Sequence, residues 1–194
     1  MADEPPSDTE TLLLDAALAE VLSHGIRRTT ASDIARRAGV SRQTLYRYWS
    51  DAEALFAALL TRELLAVLPS DEPAQTLEAL TAEFVDTADR VRTLPLVHRL
   101  RDTDPELFAR YILQRLGTSQ HVLHSTIAAR LAGGHRAGFV RDGDPQRLAA
   151  MVLLIAQSAV QSAPLVEEWL PGNAWRVELA HALSGYLATE GRQA

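Results

Sequence analysis

The chain has 194 residues, 47% of them apolar, no cysteine and a formal net charge of −6. That length allows one helical domain or a small module joined to a larger one, and the missing thiols exclude disulfides and thiolate metal sites. Overall acidity argues against nucleic acid, but the charge is unevenly placed. Residues 21–50 hold Arg27, Arg28, Arg36, Arg37, Arg42 and Arg47 against one acid, Asp33, while the other 13 arginines and 24 acids leave −11 on the rest. A basic segment on an acidic body is the pattern of a local phosphate footprint; the plainer alternative is a solvated helix face.

Residues 1–7 read as a disordered tail, acidic and polar, without the features of a signal peptide. Ser7-Asp-Thr-Glu10 fits a capping box and starts a first helix to about Ser23, with Leu14, Ala17, Leu18, Val21 and Leu22 on one face. Gly25 ends it, and Ile26 turns back into a small core. Thr30-Ala-Ser-Asp33 is a second box. It opens a short helix whose Ile34, Ala35 and Ala38 share a face. Gly39 supplies a turn residue that tolerates positive φ, Val40 plugs the junction, and Ser41 caps the next helix. That helix turns Leu45 inward, with Tyr48 or Trp49 one turn on. Arg42, Gln43, Thr44, Tyr46 and Arg47 are left facing out. A compact support that exposes Arg, Gln, Thr and Tyr on its second short helix is built to read a DNA major groove. Ser50-Asp-Ala-Glu53 is a third box, starting a helix over about 51–68 with a stripe of Leu55, Phe56, Leu59, Leu60, Leu64 and Leu68. At roughly 27 Å it is expected to reach from the small domain into the next. Pro69 to Pro73 then breaks the pattern.

The remainder also reads as helix, since nothing alternates with period two over a useful length. Helices are predicted over about 74–91, with Leu77, Leu80, Phe84, Val85 and Ala88 inward, and over 95–101. Another runs from the cap-then-proline signal Asp104-Pro105 to about Gly138, with Gly117 a kink or division. Asp142-Gly-Asp-Pro145 starts a helix over 145–163, and Pro171-Gly-Asn173 one over 174–189. The helix over 145–163 is apolar nearly all round from Leu148 to Ala156, a sign of burial on more than one side. Its longest apolar run, near Ala149–Ala156, is too short to span a bilayer, so a cytoplasmic protein with no membrane partner is expected. The last helix carries Trp175, Leu179, Ala182, Leu183, Tyr186 and Leu187. Two such helices from each of two chains would build an isologous four-helix bundle. Leu148, Val152, Ile155 and Ala159 would meet Trp175, Leu179, Leu183 and Tyr186 at the homodimer interface; the alternative is a monomeric core.

Three runs carry a resemblance: Gly25-Ile-Arg-Arg-Thr-Thr30, Ile34-Ala-Arg-Arg-Ala-Gly-Val-Ser41, and Thr44-Leu-Tyr-Arg-Tyr-Trp49 followed by Glu53-Ala-Leu55. Residues about 8–60 thereby resemble the TetR family of bacterial transcriptional repressors. Downstream, Ala137-Gly-Phe-Val-Arg-Asp-Gly-Asp-Pro145 looks like the connection that many members place before their dimerising helices. The resemblance implies an all-α fold of about nine helices. A three-helix DNA-binding domain would span 8–54, with the helix-turn-helix at about 32–49, and a ligand-binding and dimerisation domain would span 55–194. It further implies that a small molecule bound in the larger domain shifts the two DNA-reading heads and releases the operator. The family usually carries a phosphate-binding lysine where this chain has Ala52; the backbone N–H groups at that helix start remain to meet a phosphate.

On this reading Arg42 reaches guanine O6 and N7 and Gln43 reads adenine. Thr44 meets a base or a phosphate, and Tyr46 packs on a thymine methyl or bonds a phosphate. Tyr48 and Thr30 grip the backbone, Arg27 and Arg28 supply phosphate charge, and Ser41 and Arg47 complete the contact set. Arg36 and Arg37 are read as solvated. The two recognition helices of a dimer must stand roughly 34–36 Å apart, so the double-stranded operator should be nearly palindromic. The ligand pocket is placed between helices 5, 6, 7 and 8, lined by Phe84, Val91, His98, Phe108, Tyr111, Gln114, Val122 and Gln157, with Trp169 at the rim. Such a wall suits a small apolar or aromatic effector; for each residue singly the alternative is core packing. His121 and His124 sit three apart with no acid near in sequence, so no metal site and no cofactor is expected. No nucleophile elbow, phosphate loop, zinc motif or nucleotide fingerprint is present, so no enzyme is expected. The remaining alternative is a helical dimer that acts as an interaction module without binding DNA.

Overall fold

The computed structural model describes residues 8–69, 72–103, 105–106 and 118–189. Among them the chain forms nine α-helices and no strand, the all-α class read from the sequence: α1 Asp8–His24, α2 Ala31–Arg37, α3 Arg42–Tyr48, α4 Ala52–Leu65, α5 Leu77–Thr93, α6 Pro95–Thr103, α7 Thr118–Arg136, α8 Pro145–Ser162 and α9 Ala174–Leu187. A 3-10 turn, Ile26–Arg28, links α1 to α2. The helices divide into two units, α1–α4 with α6, and α5 with α7–α9. Ser7, Asp104 and Gly117 lie outside the described residues.

The first unit is built on leucines that recur at helical spacing. Leu13, Ala17 and Val21 of α1, Ile34 of α2, Leu45 of α3 and Leu55 and Leu59 of α4 are buried together, and Leu96 and Leu100 of α6 join them. Each such leucine contributes about 1.5–3 kcal/mol of apolar burial. α4 is shorter than expected. It ends at Leu65, with Ala66 as its C-cap, because Leu68 precedes Pro69 and that position disfavours helical backbone. At roughly 21 Å it stays within the first unit, so the chain divides after Ala66 and not at the start of α4.

The second unit has its own core, with Leu80, Phe84 and Val85 of α5, Ala128 and Leu131 of α7, Leu148, Ala149 and Val152 of α8, and Trp175, Leu179, Leu183 and Leu187 of α9. α5 starts three residues later than expected, where the Thr76 hydroxyl accepts the Ala79 N–H at 3.2 Å. The Asp144-Pro145 signal works as read: the Asp144 carboxylate accepts the Gln146 N–H at 2.9 Å. α7 passes so close to the segment after it that a Cβ on Gly134 would stand 2.5 Å from Val140 Cγ2 and 2.7 Å from Phe139 Cε2, so only glycine fits. Ion pairs tie α9 to α5. Arg176 reaches Asp86 and, at 2.9 Å, Asp89; Arg92 bonds Asp89 at 2.6 Å and lies 5.1 Å from the Trp175 ring centroid. Burial works against the Asp89 charge, but Arg92 and Arg176 outweigh it and hold its carboxyl below the usual range.

The faces of α8 and α9 correct the sequence reading. Leu148, Val152, Trp175, Leu179 and Leu183, assigned to a dimer interface, are buried in the chain's own core, and Ile155, Ala159 and Tyr186 pack against it. α8 is buried on one side only: Ala150, Met151, Leu154 and Ser158 are exposed, Leu154 at 59%. On α9 the exposed positions include Val177, Ala182 and Gly185. α8 is apolar on two sides, so periodicity alone could not say which side faces in; on α9 the one apolar stripe faces the chain's own core and the exposed side also carries Glu178 and His181. The bilayer argument is corrected as well. Pro145–Leu165 as a whole is long and apolar enough to cross a membrane, although only by length and composition, a test that core helices of soluble proteins also pass.

Candidate nucleic-acid interface

Local hydrogen bonds set the geometry of α2 and α3. At the start of α2, Thr30 Oγ1 accepts the Asp33 N–H at 3.2 Å and donates to the Asp33 carboxylate. The Thr30 hydroxyl, followed by Arg36 at 2.7 Å, keeps the Asp33 carboxyl below its ordinary range. At the other end Gly39 takes φ 70°. Its N–H meets the Arg36 carbonyl at 3.2 Å, and the Val40 N–H meets the Ala35 carbonyl at 3.0 Å. This is the glycine-terminated helix stop that turns the chain sharply into the next helix. Ser41 then caps α3, accepting the Thr44 N–H at 3.1 Å.

Leu45 and Trp49 anchor α3 in the core, which settles the choice between Tyr48 and Trp49. Tyr48 is half-buried, its ring centroid 5.6 Å from that of Trp49. Arg42, Gln43, Tyr46 and Arg47 are exposed with Ser41, and Thr44 is half-buried. The structure therefore gathers Ser41, Arg42, Gln43, Thr44, Tyr46, Arg47 and Tyr48 on one short helix and its cap. Ser41 and Thr44 are also occupied with each other, their hydroxyl oxygens 2.9 Å apart. Arg28 and Thr30 are exposed just before α2.

The six arginines of this segment fall into two groups. Arg27 pairs with Glu106 at 3.3 Å, Arg36 with Asp33 at 2.7 Å, and Arg37 with Glu20 at 2.7 Å. Among the described residues Arg28, Arg42 and Arg47 take no carboxylate partner. Arg42 lies 5.8 Å from the Tyr46 ring centroid, and Arg47 lies 5.4 Å from that of Tyr48. Arg36 and Arg37, read as solvated, are exposed, and each also pairs with an acid. Glu20 was missed by sequence reasoning. It is only 7% exposed and is also met by His24 Nδ1 at 3.0 Å; the Arg37 hydrogen bond holds its carboxyl below the usual range, against the opposing effect of burial. The available signal was an acid in register with the apolar stripe of α1, three residues after Ala17.

The start of α4 also differs from expectation. The cap is Asp51 instead of Ser50: the Asp51 carboxylate accepts the Ala54 N–H at 2.8 Å, and the Ser50 hydroxyl donates to it at 3.0 Å. The Ala54 N–H lowers the Asp51 pKa. One of the N–H groups expected to await a phosphate here, that of Ala54, is taken by the chain's own carboxylate.

The described residues among those proposed for a ligand pocket fall in both units. Phe84 belongs to the core of the second unit, with Val91 packed against it. Val122 and Gln157 are half-buried there, and Trp169 is 72% exposed. His98 is exposed on α6 of the first unit, 3.2 Å from Arg101 Nη2. Phe108, Tyr111 and Gln114 lie outside the described residues. For Phe84 core packing is the better account. His124 Nε2 lies 2.9 Å from the Gln146 carbonyl oxygen, and no cluster of three metal-ligating side chains occurs among the described residues.

Residues 13–59 match the family model of bacterial regulatory proteins of the tetR family. An HTH-type transcriptional regulator of Mycobacterium bovis is 47% identical over 184 residues, covering 93% of this chain and 95% of its own length. Among solved structures, a TetR-family transcriptional regulator from Rhodococcus sp. matches 94% of this chain and 100% of its own, with a TM-score of 0.67 at 20% identity. SmeT, the repressor of the Stenotrophomonas maltophilia multidrug efflux pump SmeDEF, matches 95% of this chain and 94% of its own, with a TM-score of 0.63 at 21% identity. With an exposed α3 on a buried Leu45–Trp49 anchor, and a relative this similar along nearly its whole length, the chain belongs to the TetR family of DNA-binding transcriptional regulators.

Proposed function

We propose that the protein is a repressor that binds a nearly palindromic double-stranded operator as a homodimer, and that a small apolar or aromatic effector releases it. The observation that carries the DNA reading is the sorting of the arginines. Acids pair with Arg27, Arg36 and Arg37, whereas Arg42 and Arg47 on α3 and Arg28 just before α2 are left without a carboxylate partner among the described residues. In this reading Arg42 and Gln43 meet base edges, and Thr44 and Tyr46 meet a base or a phosphate. Arg28, Thr30, Ser41, Arg47 and Tyr48 hold the backbone, as contacts that position the helix without reading sequence. The first unit is the DNA-reading head and the second the dimerising body. The outward face of Met151, Leu154 and Ser158 on α8, with Val177, Ala182 and Gly185 on α9, is the dimer interface. The effector reading draws support from the SmeT–triclosan complex, a neighbour of the same fold.

The test is binding of the full-length protein to its own promoter region over a salt series. With Arg28 and Arg47 of each subunit on the backbone, a dimer neutralises about four phosphates, which predicts a log-log slope of about −3.6 at about −0.9 per phosphate. Apolar aromatic compounds should weaken that binding. A slope near zero, or no preference for the promoter over random duplex, would overturn the DNA reading and favour the interaction module.

A further inference from the structure

We propose that Tyr46 is a positioning residue for base reading: its ring face holds the Arg42 guanidinium in the plane that a guanine edge requires. The inference rests on the reading of Arg42 given above. Bidentate bonding to O6 and N7 needs the guanidinium fork coplanar with the base, yet Arg42 is exposed on a flexible stem. Elsewhere in this segment arginines are oriented by carboxylates, as Arg36 is by Asp33 and Arg37 by Glu20. A carboxylate would cancel the charge of Arg42 and occupy its N–H donors. An aromatic face restrains the guanidinium plane and leaves both the charge and the donors free. Tyr46 meets that need one turn after Arg42, with Arg42 Cζ 5.8 Å from its ring centroid. The buried Leu45 beside it fixes the helix face on which the ring stands, and 42% exposure leaves the ring open at the surface where DNA would dock. Arg47 over Tyr48 at 5.4 Å repeats the device on the same helix.

The experiment uses the full-length protein and a duplex selected from a random pool by binding to it, together with variants of that duplex carrying single base-pair changes. Arg42→Ala marks the base pair that Arg42 reads, where the wild type should discriminate by about 5- to 150-fold. Tyr46→Phe and Tyr46→Trp, which keep a ring, should preserve that discrimination. Tyr46→Leu should lower it about 2- to 5-fold at that base pair alone, and should have no effect there when combined with Arg42→Ala. Thermal melts confirm that each variant is folded. The inference is overturned if Tyr46→Leu leaves the discrimination intact, or if it weakens every duplex equally, since Tyr46 would then serve only as a phosphate or packing contact. If Arg42→Ala relaxes no base pair, the base reading itself fails and takes this inference with it.

Discussion

What an arginine can do for DNA depends on its partner before DNA arrives. Arg36 and Arg28 carry the same charge, but Asp33 sits 2.7 Å from Arg36 and no acid among the described residues pairs with Arg28. Arg28→Ala should therefore weaken binding evenly across operator sequences. It should flatten the log-log salt slope by about one per half-site, or about two per dimer. Arg36→Ala should leave the slope nearly unchanged, because its charge is already compensated. Binding isotherms for the two variants between low and moderate salt decide this. The sequence showed which side chains α3 would turn outward, because helical spacing and the anchor at Leu45 are local facts. It did not show the pairings of Arg37 and Arg27, because those partners are distant in the chain: Glu20 lies 17 residues from Arg37 and Glu106 lies 79 from Arg27, whereas Asp33 and Arg36 stand at a helical spacing of three.

Among the elements, the Glu20–Arg37 pair is a clamp from α1 to the last turn of α2. Glu20 is nearly buried and Arg37 half-exposed, so solvent screens the pair only in part. Glu20→Gln should cost about 1–2 kcal/mol of stability at neutral pH, read as a lowered urea midpoint. The pH dependence has a definite sign. The folded-state pKa of Glu20 lies below its ordinary 4.5, so the unfolded chain takes up the proton first as acid is added. The stabilisation is complete above about pH 4.5 and is lost as pH falls through the lower, folded value. The difference between wild type and Glu20→Gln should accordingly be constant near neutrality and shrink in acid. The helix starts were the most legible elements, since a cap needs only a side chain and an N–H two or three residues on. Thr30, Ser41 and Asp144 cap as read. The shift from Ser50 to Asp51 at α4 is a choice between adjacent acceptors, both of which suit the sequence pattern.

At the scale of the whole molecule, the least legible feature was the direction in which α8 and α9 face. α8, apolar on both sides, presents two candidate interfaces at the same periodicity, and the single apolar stripe of α9 suits a core as well as a partner; only the packing of α5 and α7 decides. Leu183, which the sequence pattern assigns to the dimer, is fully buried, whereas Leu154 is 59% exposed in an apolar surround that includes Ala150 and Met151. An exposed apolar stripe on a helix of this composition needs a cover. In an isologous interface each residue enters twice, once from each copy. Leu154→Glu would place two carboxylates in that interface without a charge partner among its proposed neighbours, a cost large enough to separate the subunits. Sedimentation at micromolar concentration should then report a folded monomer. Operator binding should fall steeply, because a single head engages one half-site. Leu183→Ala should behave differently, costing about 2–5 kcal/mol of core stability and lowering the thermal midpoint before any change in subunit association. If Leu154→Glu remains a dimer with an unchanged dissociation constant, the outward face is not the interface, and the two DNA-reading heads must be coupled through another surface.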